Sequence, residues 1–512
     1  MTQLLAPAAV GEWRRLSPRM LLVHPVVELG RALPALAGAF LAGRSSGGNS
    51  GTWWSLGLGG VVIVFALLRW FTTSFRITAE QIQLRHGLLR RRTVAAPVDR
   101  VRTVDVTAHL LHRLLGLAKV AIGTGTSDRK GRNGLVLDGL GADAAAALRA
   151  ELLHRRPDVR SGVPFRSDAG TEATTGTQAP ELVLARLDRA WIRYAPFTLS
   201  GALTGLALLG VGSRIVNEGR INLSRVGPLR TVAEHFARWP LAVSVAVVAV
   251  CALVFVAVAS TLGYVLAFWN FRLTRHSGGT LHVTRGLLTS RATSIERRRL
   301  RGAELSEPLL LRAAGGARCL AIATGLRVGR GAERGGEILL PPAPRAVALR
   351  VGADVLEQPG PLSALLQPHP PAALRRRLVR AVGAALVVVA VIAVIDRVAG
   401  WPLWAVPASG VLIVLAIALG IDRYRSLGHA YVDGFVVSRL GSLVRRRSAV
   451  ISDGVIGWNL RSTFFQRRIG LVTLTATAAA GRQRYRIVDL AAAESADFAD
   501  RAVPGLLAEF LG

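Results

Sequence analysis

Between Trp239 and Phe271 the chain runs for 33 residues without a charge. A helix rises about 1.5 Å per residue and the hydrocarbon core of a bilayer is about 30 Å thick, so about 20 apolar residues suffice to cross it. Val398 to Ile421, Tyr194 to Ser213 and Ser45 to Leu68, whose apolar part begins at Trp53, meet the same test. Two stretches are marginal. Ala381 to Ile395 has only 15 uncharged residues, so Arg380 has to snorkel. Val26 to Gly43 carries Glu28 and Arg31, three apart on one helix face and near one end, which reads as a structural pair. Composition agrees: 51% of the 512 residues are hydrophobic and 19% charged, with a mean hydropathy of +0.39. This excludes a disordered or fibrous chain and speaks against an ordinary soluble enzyme.

The six spans form three pairs: 26–43 with 53–70, 194–212 with 240–266, and 381–396 with 402–421. An even number puts both termini and the three long hydrophilic segments on one side. Of 64 basic residues, 53 lie on that side and seven opposite, so the positive-inside rule places it in the cytoplasm. The expected order is an N-terminus 1–25, a helix pair 26–71, a domain 72–156, a flexible linker 157–190, and a second pair 191–268 with an external loop 213–239. A domain 269–350, a Pro-rich linker 351–377, a third pair 378–421 and a last domain 422–512 follow. The external loop, with five arginines, runs against the rule.

The hydrophilic segments repeat. Gly87 precedes Gly116 by 29 residues and Gly441 precedes Gly470 by 29; Gly286 precedes Gly315 by 29 and Gly316 by 30. Short alternating runs with β-branched residues flank them, as in strands. Gly87, Gly116, Gly286, Gly316, Gly441 and Gly470 are therefore the expected turn glycines. Ala142 to His154 and Ala491 to Phe510 read as closing helices. The predicted fold class is an α-helical membrane protein of six helices in three pairs, each pair followed by a β-rich barrel or sandwich with a C-terminal capping helix.

Phe75-Arg76, Gly87-Leu88-Leu89 and Arg113-Leu114-Leu115-Gly116-Leu117 in the first unit, with weaker counterparts in the others, carry a likeness to a known family. So do His24-Pro25 before the first span and His369-Pro370 before the fifth. On these residues the chain resembles the bacterial pleckstrin-homology-like (PH-like) membrane proteins of the YdbS/YdbT type, and its three units look like the larger YdbT-like members. The resemblance covers nearly all of the chain outside the linkers. It implies seven-stranded, helix-capped domains in a bacterial plasma membrane protein, and as protein partner a smaller single-domain member of the same family. It implies no reaction.

Candidate chemistry is sparse. Gly43-Arg44-Ser45-Ser46-Gly47 matches a hydrolase elbow but lies in a Ser/Gly loop, without the strand and helix that such an elbow needs. Gly123-Thr124-Gly125 with Lys130-Gly131 lacks phosphate-loop spacing and reads as a hairpin tip. His109 and His112, with Asp105, lack a third ligand at a diagnostic spacing. Cys251 and Cys319 read as small apolar fillers. No catalytic residue, metal or cofactor is expected.

Arginine clusters beside the hairpin glycines stand out: Arg90, Arg91, Arg92; Arg297, Arg298, Arg299; and Arg445, Arg446, Arg447. Near an anionic leaflet each basic residue is worth about 1 kcal/mol, which makes them candidate lipid contacts; the bland reading is that they enforce topology. Nucleic acid is not an expected partner, because the basic residues are spread over three tethered segments. The expected function is a non-catalytic integral membrane protein presenting three cytoplasmic domains for protein and anionic-lipid contact, a cell-envelope scaffold or accessory subunit. The alternatives are a transporter or channel component and a membrane enzyme acting on envelope lipids.

Overall fold

A computed structural model describes residues 13–29, 32, 50–78, 80–87, 92–98, 103–123, 135–154, 181–198, 210, 239–276, 278–324, 337–399 and 405–506. They form two compact units, Met1–Leu187 with Thr204–Glu296, and Asp188–Leu203 with Arg297–Gly512. The boundary at Glu296 falls inside the second sequence repeat, and the strand order explains why.

Each repeat has three strands, then a strand, a short helix, two strands and a closing helix. In the first these are β2 (Ser74–Ile77), β3 (Gln81–His86), β4 (Arg92–Pro97), β5 (Thr103–His109), α3 (Leu110–Leu114), β6 (Leu117–Gly123), β7 (Leu135–Gly141) and α4 (Ala142–His154). The second has β9 (Arg272–Arg275), β10 (Leu281–Arg285), β11 (Thr289–Ile295), β12 (Leu300–Pro308), α6 (Leu309–Ala313), β13 (Gly316–Ala323), β14 (Ile338–Pro344) and α7 (Arg345–Leu356). The third has β15 (Gly428–Val432), β16 (Phe435–Leu440), β17 (Val444–Ile451), β18 (Val455–Arg461), α10 (Phe464–Arg467), β19 (Leu471–Ala478), β20 (Arg484–Ala491) and α11 (Ala492–Ala502). The expected β-rich plan with a capping helix is observed in all three.

A further strand joins each repeat from the far side of its apolar segment. β1 (Arg14–Arg15) pairs with β2, and β8 (Leu182–Arg186) pairs with β9. In the third repeat a single bridge from Gln367 to His429 of β15 takes this place. This gives the seven strand positions that the resemblance implies, with the apolar segment inserted between the first and the second. Residues expected to be a tail (1–25) and linkers (157–190, 351–377) thus contribute to the sheets. The cause is hydrogen bonding: the outer edge of β2, β9 or β15 exposes N–H and C=O groups that need a partner.

Sheets are also shared between neighbours. β5 of the first repeat pairs with β11 of the second, giving the order β7-β6-β5-β11-β10-β9-β8. β12 pairs with β17, giving β14-β13-β12-β17-β16-β15. The second repeat therefore contributes one half-sheet to each compact unit. In the first unit the core is built from Ile82, Val104, Leu117, Val120, Ile122 and Leu137. In the second, Val436 and Val450 meet Leu474, Ile487, Leu490 and Phe498. A fully buried side chain of this kind contributes roughly 1.5–3 kcal/mol.

Among the described residues three helices are long and apolar enough to cross a membrane, rather than six in pairs: Leu241–Phe268, Pro371–Val398 and Val406–Arg425. The first is helix α5 (Leu241–Phe268), the second lies in α8 (Pro371–Ala399), and the third includes α9 (Val411–Arg425). The expected span 53–70 forms one helix, α2 (Ser50–Phe71), outside these three. Span 26–43 lies mostly outside the described residues beyond α1 (Met20–Leu29), as do Arg31, the Gly43–Gly47 motif and most of loop 213–239. Span 194–212 is undescribed over most of its length, and Tyr194, which begins it, is buried in a 3-10 turn against the position of Gly316. The span at 381–396 is longer than its uncharged core, because the helix starts at Pro371 and carries Arg380. Leu241, Val245, Val248, Leu253, Val254 and Val258 are exposed around α5, a distribution suited to lipid and not to water.

The turn glycines carry positive φ at Gly87, Gly116, Gly286, Gly441 and Gly470. A Cβ on Gly286 or Gly441 would stand 2.0 or 2.1 Å from the carbonyl oxygen of Thr289 or Val444, so only glycine closes these hairpins. In the second repeat the left-handed residue is Gly315 (φ 74°), not Gly316. Gly316 opens β13, where a Cβ would meet Tyr194 and Leu311 at 2.6 Å.

The shared sheet has one backbone contact that tolerates no side chain. A Cβ on Gly302 of β12 would lie 1.9 Å from the carbonyl oxygen of Ala449 in β17. Gly302→Ala should therefore open this junction and destabilise the second unit by at least about 1–3 kcal/mol. Amide exchange should speed up in β12 and β17 and stay slow in β19 and β20; equal protection in all four strands would count against the junction.

Candidate functional site

Of the arginines singled out in the sequence, Arg445, Arg446 and Arg447 fall on a shared sheet, and Arg297, Arg298 and Arg299 form a 3-10 turn before β12. Arg90 and Arg91 lie outside the described residues, and Arg92 opens β4 with its side chain not described. Arg297 and Arg298 are exposed, and Arg297 pairs with Glu357; Arg299 is buried. Arg445, Arg446 and Arg447 sit on β17, the neighbour of β12.

Register sets their partners. Side chains alternate across a strand pair, so Glu304, opposite Ser448, and Glu307, opposite Arg445, project to opposite faces. Glu307 is 3% exposed and lies between Arg445 Nε at 2.6 Å and Arg345 Nε at 2.8 Å. Glu304 is 1% exposed and lies between Arg446 Nε at 3.4 Å and Arg482 Nε at 3.2 Å, and accepts from Ser448 Oγ at 3.2 Å. Arg447 donates to the carbonyl oxygens of Ala364 (2.6 Å) and Pro361 (3.3 Å), in and beside the turn Gly360–Ser363. Burial, with Arg439 and Arg345 nearby, lowers its pKa to about 10. The triplet expected to face lipid is thus committed to the junction of the second and third repeats. Sequence reading passed over Glu304 and Glu307. One signal was present: Asp105 and Glu304 both lie 11 residues before a turn glycine and face a hydroxyl residue, Thr293 or Ser448.

A second buried charge ties the third repeat to α8. Asp489 lies at a bulge of β20 with φ 64°, fully buried. Its Oδ1 accepts from Arg376 Nη1 at 2.7 Å and Gln466 Nε2 at 2.9 Å, and its Oδ2 from Arg377 Nη2 at 2.9 Å. Both arginines are on the second turn of α8, and Gln466 is on α10. The carbonyl oxygen of Asp489 lies 3.0 Å from Nδ1 of His369, in the His369-Pro370 pair that precedes α8. With Nδ1–H donating there, the Nε2 lone pair of His369 faces Nδ1 of His429 at 3.3 Å. Tyr424 Oη, near the end of α9, donates to the carbonyl oxygen of His369 at 2.9 Å. Burial lowers the pKa of His369, and burial with the charges of His369 and Arg501 lowers His429 to about 4. The arrangement is a structural joint between apolar helices and sheet.

His109 and His112 have different partners. His109 Nδ1 lies 3.1 Å from Thr289 Oγ1 across the β5–β11 pair, and His112 Nε2 lies 3.3 Å from Asp138 Oδ1. Burial raises the Asp138 pKa, but the His112 hydrogen bond and the Lys119 charge outweigh it and bring the carboxyl to about 2. Cys319 is fully buried on β13, and burial raises its thiol to about 12; Cys251 is exposed on α5. Of the loop Gly123-Thr124-Gly125 with Lys130, only Gly123 is described.

Asp489→Asn keeps a residue that accepts positive φ but removes the charge. It should destabilise the protein by about 3 kcal/mol or more, because two guanidiniums lose their counter-ion in a buried place. Denaturation in detergent reads this, with Asp433→Asn, at an exposed turn of the same backbone conformation, as reference. Between pH 6.5 and about 4 an unfolded histidine binds a proton that folded His429 does not. Stability should therefore fall on acidification through that window. In His429→Gln the slope should flatten, with the share from His369 remaining.

A family profile described as Bacterial PH domain matches residues 26–156 and 220–351, together about half of the chain. The first match closes just after α4 and the second within α7. No curated protein and no solved structure matches the chain. The third repeat, outside both matches, has the same element order and the same 29-residue glycine spacing. The chain belongs to the bacterial PH domain family.

Proposed function

We propose that the protein is a non-catalytic membrane scaffold whose three PH-like repeats lie on the cytoplasmic face and offer a sheet edge to a protein partner. The observation that carries the membrane part is the insertion of each apolar segment between two paired strands. The pairing of β1 with β2, of β8 with β9 and of Gln367 with β15 supports a topology in which each connection leaves and returns on one side of the bilayer. An even number of crossings per repeat follows, and the arginine bias makes that side the cytoplasm. The buried acids support a structural reading, since Glu304, Glu307 and Asp489 each hold two arginines within the fold.

The partner surface rests on equivalence between repeats. β5 and β12 are each paired along their outer edge by the next repeat, whereas β18, the third strand of this kind, is an edge of its sheet among the described residues. Leu305 and Leu460 both lie ten residues before a turn glycine; Leu305 is 1% exposed and Leu460 is 61% exposed. Ile456 on the same strand is exposed as well. A strand with apolar residues, added antiparallel as β17 is added to β12, would cover both. Asn459 stands where Glu304 meets arginines, so the incoming strand needs no basic residue there.

Two measurements test this reading. A thiol introduced by Gln483→Cys in a Cys251→Ala background should react with a membrane-impermeant reagent in inside-out vesicles and not in right-side-out ones; the reverse would overturn the topology. A photo-crosslinker at Leu460 in native membranes should join a protein that one at Arg484 does not. Equal yields at both positions, or none at Leu460, would remove the edge as a partner surface.

A further inference from the structure

The three short helices α3, α6 and α10 occupy one place in the repeat, directly after the first strand of the second half-sheet. Each turns two large apolar side chains outward: Leu110 and Leu114, Leu309 and Leu310, Phe464 and Phe465. Single exposed leucines need no explanation, but the same pair-wise exposure at the same place in all three repeats does. Phe465 is 72% exposed and Leu114 74% exposed.

Each of these helices is fastened to the end of a long apolar helix. In the third repeat Gln466 of α10 shares Asp489 with Arg376 and Arg377 of α8. Ile469 and Leu471, just beyond α10, pack with Ala372 and Ala373 in the first turn of α8 and with Tyr424 and Leu427 around the end of α9. The N–H of Leu309, at the start of α6, donates to the carbonyl oxygen of Leu443. Ser442 beside it donates to Asp422 in the last turn of α9, and Arg312 of α6 donates to the same carboxylate at 2.8 Å. Arg113 of α3 donates to the carbonyl oxygen of Leu287 at 2.7 Å, and the Leu287 N–H donates to the carbonyl oxygen of Leu266 in the last turn of α5. Leu443 and Leu288, the residue after Leu287, are exposed too. Beside Phe464 and Phe465, Arg467 and Arg468 are exposed, and the Arg468 guanidinium lies 5.7 Å from the centroid of the Phe464 ring.

We infer that α3, α6 and α10 are interfacial anchors. They lay their apolar pairs into the boundary between headgroups and acyl chains of the leaflet from which α5, α8 and α9 emerge. At α10, Arg467 and Arg468 then stand at the level of the lipid phosphates. The occupant is lipid because each apolar pair sits within a few residues of the point where an apolar helix leaves its span. Amphipathic elements at that level settle about 5–10 Å into the interface. This inference rests on the membrane reading above and places lipid contact on the short helices instead of on Arg445, Arg446 and Arg447.

The test uses the full chain in phospholipid nanodiscs, in a Cys251→Ala background, with a nitroxide placed by Phe465→Cys, Leu310→Cys, Val388→Cys or Gln483→Cys. Val388 lies in α8, and Gln483 lies at the far end of β19, eight strand residues or about 26 Å from α10. Collisions with oxygen report lipid and collisions with a nickel chelate report water. Labels at 465 and 310 should favour oxygen over nickel and rank between 388 and 483. If 388 reads as lipid while 465 and 310 read as 483 does, the anchors are overturned and the membrane reading stands. If 388 itself reads as water, the membrane reading fails as well. Protection of 465 from both reagents would assign the pair to a protein surface and overturn the lipid assignment.

Discussion

Everything in this structure that concerns more than one repeat depends on backbone pairing between strand edges. A half-sheet of three or four strands ends in unpaired N–H and C=O groups, which must find partners or remain open to association. Here β5 finds β11 and β12 finds β17, so that successive repeats close each other. Buried glutamates then lock the second of these junctions. Glu304 and Glu307 leave water only because two guanidiniums meet each of them, and removing one side of such a pair would strand a charge in the sheet. The compact units consequently cut across the sequence repeats, and the second repeat belongs half to each.

The placement of the apolar helices follows from the same rule applied at the other edge. Each first strand lies before the apolar segment and the remaining strands after it, so chain entry and exit are held a strand spacing apart. In the third repeat this closure is reinforced by charge. Asp489, in a left-handed backbone conformation, gathers Arg376, Arg377 and Gln466, while its carbonyl oxygen meets His369. A helix pair joined to its domain in this way cannot tilt freely without breaking buried polar contacts. Tethering, and the edge that β18 leaves among the described residues, support the scaffold reading proposed above.

Much was legible in one dimension. The charge-free run around α5, the 29-residue glycine spacing and the alternation of β-branched residues are local signals, and each reappears as helix, hairpin or strand. The His369-Pro370 pair also marked a real joint. The triplet Arg445-Arg446-Arg447 shows the limit, because a run of guanidiniums reads the same whether it faces phosphate or a carboxylate 138 residues away, as Arg445 faces Glu307. Gly315 and Gly316 share the spacing signal, and only φ separates the turn residue from the packed one.

The sequence by itself determined that long apolar runs such as Trp239–Phe271 interrupt the chain, how many times the β-rich plan recurs and where its hairpins turn, since these depend on residues within a few positions of one another. Tertiary structure alone decided which edges pair, that each first strand lies before its apolar segment, and which acids neutralise which arginines. Strand edges bind through backbone groups common to nearly every residue, so the sequence carries almost no mark of the choice. It is made when the whole set of edges, buried charges and apolar faces is satisfied together.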